Sequence, residues 1–409
     1  MKKVNLNKKV NLIKRSDKPF KHTVSLVKST DKKVNINKPC IAYCPEKHEE
    51  NANIKQYGFK RRSTMLELSN YWDDFKIRVN NTIDCLNGGK LPQLERLTVH
   101  LTEGCNFNCE YCNMHFSKKT MDKNLVVKII DDYARMGGRT IHFTGGEPSI
   151  VEYIEEVFQY AKKKGLTVSA NTNAFTRMNC ENIDKLKTSF DTPYGNVFNA
   201  TVRRNSFETV VENMKYYSKE MKEKMLSITA VLNRKTYKSM LKLAQFVNEN
   251  FDVYNLYYSN YKGSDKTFAF TDEEIKDMFE NYIPETLKFL KESGNYYSYK
   301  QLSLYKPSDF IDADCRFEEN KTIPCYIQLS EMTIDVDGNC YNCSHLYRDG
   351  VKSPIKVNVN SMNLKDCFIT LKSSLNGNYT FLSDKCLNGC NTNLIGFNKA
   401  VSKKEKIYN

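Results

Sequence analysis

The chain has 409 residues, of which 40% are hydrophobic and 12% aromatic, so it is long enough to bury more than one core. Its 62 Lys and Arg residues exceed its 48 Asp and Glu residues, giving a net charge of +14. No apolar run has the length of a membrane span or a signal peptide, which argues against a membrane protein and against secretion. Its 14 cysteines therefore indicate metal or catalytic sites in a reducing, cytoplasmic compartment.

Most of the positive charge lies at the N-terminus. Residues 1–38 hold 12 basic and two acidic side chains, while the rest of the chain is nearly balanced. The segment Lys2–Lys8 recurs as Lys32–Lys38 among many lysines and asparagines. We expect residues 1–60 to form a basic, low-complexity tail. Nucleic acid would have to bind through this tail, and the balanced body does not favour it at an active site.

Residues 61–94 are predicted to be a helical lead-in to the main domain. Positions 64–86 carry an apolar stripe at helical spacing, which includes Leu68, Phe75 and Val79. The sequence Asn-Gly-Gly at 87–89 then predicts the end of that helix.

Three cysteines follow a strand-like run at 97–102. Cys105, Cys109 and Cys112 have the spacing C-x3-C-x2-C, which suits soft thiolate ligation of iron–sulfur clusters or zinc. A structural metal site has four protein ligands, whereas a reactive site keeps one position open. On a 4Fe-4S cluster, three cysteines leave the fourth iron free.

A second motif follows about one helix later. Residues 142–148 read HFTGGEP, and glycines allow the backbone to approach a ligand closely. With the aromatic Tyr111 before the third cysteine, the two motifs resemble the signature of radical S-adenosylmethionine (SAM) enzymes. The SAM amino group would then be received by a short segment consisting of Gly145, Gly146, Glu147 and Pro148. A zinc knuckle with a distant fourth ligand is the alternative, and it leaves this segment unexplained.

The resemblance implies the chemistry of the first step. The open iron would chelate SAM, and the reduced 4Fe-4S cluster would cleave it to methionine and a 5′-deoxyadenosyl radical. That radical would abstract a hydrogen atom from the substrate. An electron donor such as flavodoxin or ferredoxin is therefore an expected partner.

Strand and helix patterns alternate from residue 97 to about residue 256. Strands are predicted at 97–102, 140–143, 167–171, 189–191, 226–232 and 253–258, and helices at 125–136, 151–164, 207–221, 239–250 and 272–293. This alternation predicts an α/β fold with βαβ units and a parallel sheet. It matches the partial (β/α)6, TIM-like barrel of the resembled family, which we assign to residues 95–295. Functional groups of such barrels lie in loops after the strands, where both motifs occur.

Three further sites after predicted strands resemble SAM-contacting segments. Asn173 lies in a segment similar to the family's TNG sequence, with Ala174 in place of glycine. Ser189 and Asp191 resemble the S-x-D after the fourth strand. Arg204 lies where related enzymes place an arginine near the SAM carboxylate, which a guanidinium suits. Ordinary turn residues are the alternative at all three sites.

Residues 296–409 are predicted to be a small cysteine-rich extension. Cys325, Gly338 and Cys343 are spaced C-x12-G-x4-C, and Asp337-Gly338 predicts a hairpin turn. Cys386 and Cys390 follow as C-x3-C.

This arrangement resembles the twitch or SPASM extensions of radical SAM enzymes. It implies an auxiliary 4Fe-4S cluster held by Cys325, Cys343, Cys386 and Cys390. The C-x2-C-x5-C stretch of a full SPASM domain is absent, so one cluster is favoured over two. A four-cysteine zinc site is the alternative, and Cys340 is a possible substitute ligand.

The predicted function is a radical SAM oxidoreductase acting on a peptide or protein, as do many related enzymes with such extensions. One alternative is a radical SAM enzyme for a small molecule or nucleotide. The other is a non-catalytic zinc-binding interaction module. No residue is predicted to act on the substrate directly.

Overall fold

The computed structural model describes residues 65–88, 91–114, 116–253, 255–261, 265–310, 324–348, 355–375 and 392–404. The predicted tail at 1–60 lies outside these residues. No helix in the described part of the chain is long and apolar enough to cross a membrane.

Eight strands form one sheet in the order β6-β5-β4-β3-β2-β1-β7-β8. They are β1 (Arg96–Thr102), β2 (Thr140–Gly145), β3 (Thr167–Thr172), β4 (Lys185–Ser189), β5 (Met225–Leu232), β6 (Asn255–Asn260), β7 (Glu331–Ile334) and β8 (Cys340–Tyr341). Strands β1 to β7 pair in parallel, and β8 is antiparallel to β7. The predicted α/β fold with a partial TIM-like barrel is confirmed.

The helices pack on the outer face of the sheet and around its C-terminal edge. They are α1 (Met65–Leu86), α2 (Lys123–Arg135), α3 (Ile154–Lys163), α4 (Gly195–Val202), α5 (Phe207–Glu220), α6 (Met240–Asn250), α7 (Asp272–Asp277), α8 (Ile283–Glu292), α9 (Tyr296–Ser303), α10 (Ser344–Arg348), α11 (Leu364–Ser373) and α12 (Thr392–Ser402). The single helix predicted at 272–293 is instead α7, a π-helical turn at Met278–Tyr282, and α8. Pro284 has no amide proton to continue an α-helical ladder, and α8 begins one residue before it.

The fourth strand was predicted four residues too late. It runs from Lys185 to Ser189, so Ser189 ends the strand and Asp191 follows it. Lys185 and Lys187 alternate with the buried Leu186 and Thr188, so too few apolar residues occur in succession to mark the strand. Helix α4 was not predicted at all.

The two faces of the sheet differ in polarity because successive side chains of a strand point to opposite faces. The outer face is apolar, and its residues such as Val99, Phe143 and Ile228 are fully buried under the helices. The inner face is polar, with residues such as His142, Asn171 and Lys187. A closed TIM barrel is filled with branched apolar side chains. The inner face of this open barrel instead carries polar side chains.

The predicted C-terminal hairpin is present. Strands β7 and β8 pair on either side of a turn at Gly338, whose φ of +84° suits glycine. Strand β7 also pairs in parallel with β1, so the hairpin continues the barrel sheet. Helix α1 contacts this region, where Arg78 forms an ion pair of 2.7 Å with Glu331.

Replacing Phe190 by alanine tests the packing of the barrel on its helices. This side chain is fully buried and contacts Phe198, Phe207 and Phe246. Its removal should lower the free energy of unfolding by about 3–5 kcal/mol, measured by urea denaturation. Tyr194→Ala is the control, since that ring is 47% exposed and its loss should cost less than about 0.5 kcal/mol. Equal effects of the two changes would contradict the assigned core.

Candidate iron–sulfur and SAM site

The glycine motif after β2 lies directly against the loop after β1. The Gly146 amide donates to the Thr102 carbonyl at 2.7 Å, and the Glu147 amide donates to Gly104 at 2.8 Å. A Cβ on Gly145 would lie 2.3 Å from the Thr102 carbonyl oxygen, and one on Gly146 would lie 2.1 Å from that of Gly104. Only glycine permits this approach, which brings the motif next to Cys105.

The C-terminal end of α4 holds the cysteine loop from its other side. The amides of Asn108 and Glu110 donate to the carbonyls of Val202 at 3.3 Å and Thr201 at 2.9 Å. These carbonyls belong to the last turn of the helix. Carbonyl groups there receive no hydrogen bond from an amide of the same helix. The unpredicted helix therefore determines where the cysteines lie.

Glu147 connects the loops after β2 and β3. Its buried carboxylate accepts hydrogen bonds from the Ser149 amide at 3.0 Å, the Thr172 hydroxyl at 2.8 Å and the Asn173 amide at 2.7 Å. Burial raises the pKa of this carboxyl, whereas the three donors lower it. The three hydrogen bonds described for Glu147 hold the loops after β2 and β3 together. Its predicted contact with SAM stays a prediction.

Asn173 and Ala174 form the turn after β3. The Asn173 side chain donates to the Asn106 side chain at 2.7 Å and lies 3.9 Å from the Cys105 sulfur. Ala174 has a φ of +62°, the left-handed conformation that glycine adopts easily. The alanine therefore occupies a glycine-type backbone position, and the turn keeps its geometry at the cost of some backbone strain.

Tyr111 and Asp191 form a buried pair. The Tyr111 hydroxyl donates to one carboxylate oxygen of Asp191, and the Val231 amide donates to the other at 2.8 Å. Burial raises the pKa of Asp191 to about 6, although both hydrogen bonds lower it. Asp191 thus orients the aromatic residue of the cysteine motif. Ser189 lies two residues earlier on the pocket wall.

Arg204 packs on the outside of the cysteine loop. Its guanidinium donates to the Asn106 carbonyl at 2.8 Å and lies 4.0 Å above the Phe175 ring. Arg204 does not line the cavity described below. Its predicted role at the SAM carboxylate remains a prediction, and its described contacts stabilise the loop.

The predicted site residues converge on one cavity of about 220 Å³. Its walls include Cys105, Cys109, Cys112, Tyr111, Gly145, Gly146, Glu147, Pro148, Asn173, Ser189 and Asp191. Burial raises the pKa of the Cys105 thiol to about 11 and that of Cys109 still further. A bound metal centre would offset this cost because it deprotonates its thiol ligands. Three thiols beside a glycine cradle fit a 4Fe-4S cluster with one open iron.

The C-terminal cysteines are described only in part. Cys325 is buried just before β7, Cys343 follows β8, and Cys386 and Cys390 lie outside the described residues. Cys340 is buried, and its thiol donates to the Gly338 carbonyl at 3.8 Å.

Sequence reasoning missed Lys372 on α11, which lies beneath the hairpin. Its ammonium is buried and donates to the Glu331 carbonyl at 2.8 Å and to the Asn342 side chain at 2.9 Å. Burial lowers the pKa of Lys372 to about 7, and negative charge at Cys343, Glu331 and Cys325 acts in the opposite direction. A lysine within a helix gives no sequence signal of burial, so only the structure reveals it.

The structure thus places three cysteines and a glycine cradle after the first two strands of an open βα barrel, as the sequence resemblance predicted. Residues 99–247 match the family model of the radical SAM superfamily. The match covers 149 of the 409 residues, so this part of the chain is similar to radical SAM enzymes.

Curated relatives are similar to this chain over part of their length. A probable GTP 3′,8-cyclase of Sulfolobus acidocaldarius is 26% identical over 198 residues, which are 46% of this chain and 63% of the relative. A GTP 3′,8-cyclase of Aliarcobacter butzleri is 24% identical over 59% of this chain and 83% of its own length. The chain spans less than two thirds of the first three curated relatives it matches, namely 63%, 34% and 29%.

Solved structures share the fold at low identity. Streptococcus suis SuiB bound to SAM superposes with a TM-score of 0.53 and 14% identity, covering 81% of this chain and 76% of that one. The structure of anSMEcpe with bound AdoMet and a Cp18Cys peptide gives a TM-score of 0.51 and 17% identity, over 76% and 96% of the two chains. At this identity the likeness concerns the fold alone.

Gly146→Ala tests the contact between the two loops. An added Cβ would lie 2.1 Å from the Gly104 carbonyl, so the glycine motif must move away from the cysteines. We expect the iron content after anaerobic reconstitution to fall severalfold. Gly165→Ala is the control, because its Cβ meets nothing within 4 Å and only the cost of a positive φ, about 1 kcal/mol, remains. Full iron loading of Gly146→Ala would contradict the assigned cradle.

The pair of Asp191 and Tyr111 predicts a pH dependence of stability. The carboxyl has a folded pKa of about 6 against 3.8 for the unfolded chain, so folding favours its protonated form. The cost of burying the charge is absent below pH 4, and it is complete above pH 6, where it amounts to roughly 3 kcal/mol.

Urea unfolding of the metal-free protein between pH 4 and 7 measures this cost. The advantage of Asp191→Asn over the wild type in free energy of unfolding should grow as the pH rises. A difference that stays constant with pH would show that Asp191 is not held in this environment.

Proposed function

We propose that the chain cleaves SAM reductively at a 4Fe-4S cluster held by Cys105, Cys109 and Cys112, and then removes a hydrogen atom from a small polar substrate of the nucleotide class. The observation that carries the first step is the convergence of three thiols and the glycine cradle on one cavity. When bound, the cluster would supply the electron for SAM cleavage.

The residues of the chain orient SAM and exclude water. Gly145 and Gly146 allow the loop after β2 to lie against the cysteine loop, so that their backbone lines the cavity where the SAM methionine group would bind. Tyr111, fixed by Asp191, offers a rigid aromatic wall on the side of the third cysteine. Phe107 and Phe198 line the cavity with apolar surface, which limits the water that would quench a radical.

Two observations favour a small polar substrate over the peptide that we predicted first. The inner face of the sheet, where a substrate would lie, is polar. The curated relatives reported above are named as GTP 3′,8-cyclases, enzymes named for a nucleotide substrate. Both support the alternative that the sequence left open, a radical SAM enzyme for a small molecule or nucleotide.

A peptide substrate is the second candidate, and the cysteine-bearing hairpin favours it. Gly338 turns the chain between Cys325 and Cys343, as expected for an extension with an auxiliary cluster. An auxiliary 4Fe-4S cluster at these cysteines is part of this proposal, with zinc as the alternative metal.

Lys372 supports a negatively charged centre at the C-terminal cysteines. It donates to the Glu331 carbonyl and the Asn342 amide oxygen, which carry no net charge, and the Glu331 carboxylate is already paired with Arg78. A buried cation is costly unless a negative charge lies close by. Thiolates that hold a metal centre beside Cys325 and Cys343 would provide that charge.

Cys109→Ala tests the proposed function. The variant should lose most of its site-bound iron and should form no 5′-deoxyadenosine from SAM with dithionite as reductant, because the cluster lacks a ligand. Cys85→Ala is the matched control, since this half-buried thiol lies on α1, away from the cavity, and both readouts should be retained. Wild-type levels of 5′-deoxyadenosine from Cys109→Ala would overturn the assignment.

The substrate class is tested separately. Guanosine triphosphate and unrelated peptides are each added to the active protein, and consumption of the added compound is measured by mass spectrometry. The proposal expects turnover with a nucleotide, whereas modification of a peptide alone would favour the second candidate.

A further inference from the structure

The C-terminal end of α4 and the outer side of the cysteine loop form one exposed surface. The Asn108 amide donates to the Val202 carbonyl at 3.3 Å. Asn108 is exposed and directly precedes Cys109, a proposed cluster ligand. Arg203 and Arg204 directly follow Val202 and are exposed as well. The exposed residues Asn108, Arg203 and Arg204 form what we call the arginine surface.

Arg203 has a backbone conformation that arginine rarely adopts. Its φ of +55° and ψ of 39° are left-handed, at the position after a helix where glycine is the common residue. An arginine in this conformation costs free energy that glycine would not. Its side chain forms no hydrogen bond, ion pair or ring contact with the residues that the structure describes. These contacts give no structural reason for an arginine here, and backbone strain of this kind clusters at functional positions.

Arg204 contacts neutral groups. Its guanidinium donates to the Asn106 carbonyl at 2.8 Å and lies 4.0 Å above the Phe175 ring. Neither contact neutralises its charge, so the cation remains at the outer side of the cysteine loop.

The carboxylates near the arginine surface do not cancel its charge. Glu110, in the cysteine loop, forms an ion pair of 2.6 Å with Lys235. Glu208 lies in the first turn of α5, where the positive end of the helix dipole favours a carboxylate. One carboxylate at Glu208 offsets at most one of the two arginines. The surface therefore keeps a net positive charge, which complements an acidic partner.

The arginine surface lies next to the cysteines but outside the cavity. Cys109 and Val202 line the cavity, whereas their neighbours Asn108 and Arg203 do not. Adjacent Cα atoms of a chain are about 3.8 Å apart, so a protein seated on Asn108 comes close to a ligand of the proposed cluster. The positions proposed for SAM and the substrate would stay open while that protein is bound.

We propose that the arginine surface docks an acidic electron-transfer protein. This inference rests on the proposed function, because reductive cleavage of SAM needs one electron from outside the chain. One electron would leave the reduced donor, which is oxidised, and would enter the bound cluster, with no proton or other group transferred. Encounters of electron-transfer proteins are weak and bury little area, so a few charged side chains suffice to attract and orient the donor.

Binding of oxidised flavodoxin and of oxidised ferredoxin tests the surface with two small acidic proteins. Calorimetry on the reconstituted full-length protein at low salt measures it independently of SAM cleavage. At least one of the two should bind the wild type, and added salt should weaken it. Arg203→Gly should weaken that binding about threefold to fivefold, and Arg203→Glu roughly tenfold or more. Arg203→Lys retains the charge and should stay within about twofold of the wild type.

Arg203→Gly should leave the fold and the cluster intact. Because glycine relieves the left-handed strain, the unfolding temperature should not fall, and 5′-deoxyadenosine formation with dithionite should be unchanged. Lys404→Gly is the matched control. Lys404 is exposed, has a φ of +52° and follows α12, which packs against α1. This variant loses the same charge and the same kind of strain, yet it should bind the donor as the wild type does.

The inference would be overturned if neither donor bound the wild type, if Arg203→Gly bound as tightly as the wild type, or if Lys404→Gly weakened binding equally. Loss of iron or of dithionite-driven activity in Arg203→Gly would also overturn it, because Arg203 would then act on the cysteine loop itself. Failure of the proposed function would instead appear as absent 5′-deoxyadenosine with dithionite while donor binding is retained.

Discussion

The contact between the backbones of two loops is the constraint on which the site depends. The amides of Gly146 and Glu147 donate to carbonyls of the cysteine loop at 2.7 and 2.8 Å, closer than any side chain at either glycine would permit. This contact fixes the cysteine loop relative to β2. It also directs the Glu147 side chain below the loops, where it reaches the turn after β3.

The buried carboxylate of Glu147 connects these loops more firmly than a neutral side chain would. It accepts three hydrogen bonds, two of them from backbone amides, and a carboxylate accepts without donating. A glutamine would have to turn its NH₂ group towards at least one of these donors. The cost of burying the charge is thus offset by hydrogen bonds from amide and hydroxyl groups that would otherwise need another acceptor. These hydrogen bonds hold the loops together as one unit.

The sequence was sufficient to predict those elements that depend on their own residues. Most of the parallel strands and helices could be predicted because their hydrophobic residues recur at the period of a strand or a helix. The two motifs could be recognised because their cysteines and glycines lie close together in the sequence. Helix α4 begins at a glycine and includes two valines, so its propensity is weak, yet tertiary contacts stabilise it and it positions the cysteine loop. The pairing of β7 with β1 joins residues more than 200 positions apart, which no local pattern indicates. The partner of Asp191 is likewise 80 residues distant, so its contact with Tyr111 could be found only in the folded chain.

The barrel can have a polar inner face because it is open. Among the residues that the structure describes, the sheet ends at β6 on one side and at β8 on the other, and these two strands are not neighbours in it. The β7–β8 hairpin extends the sheet beyond β1 and does not close it onto β6. A closed barrel would have to fill its interior with side chains, and lysine and histidine there would lose their hydration without compensation. The open barrel avoids this cost at Lys187, which stays exposed on the inner face although it lies in a central strand.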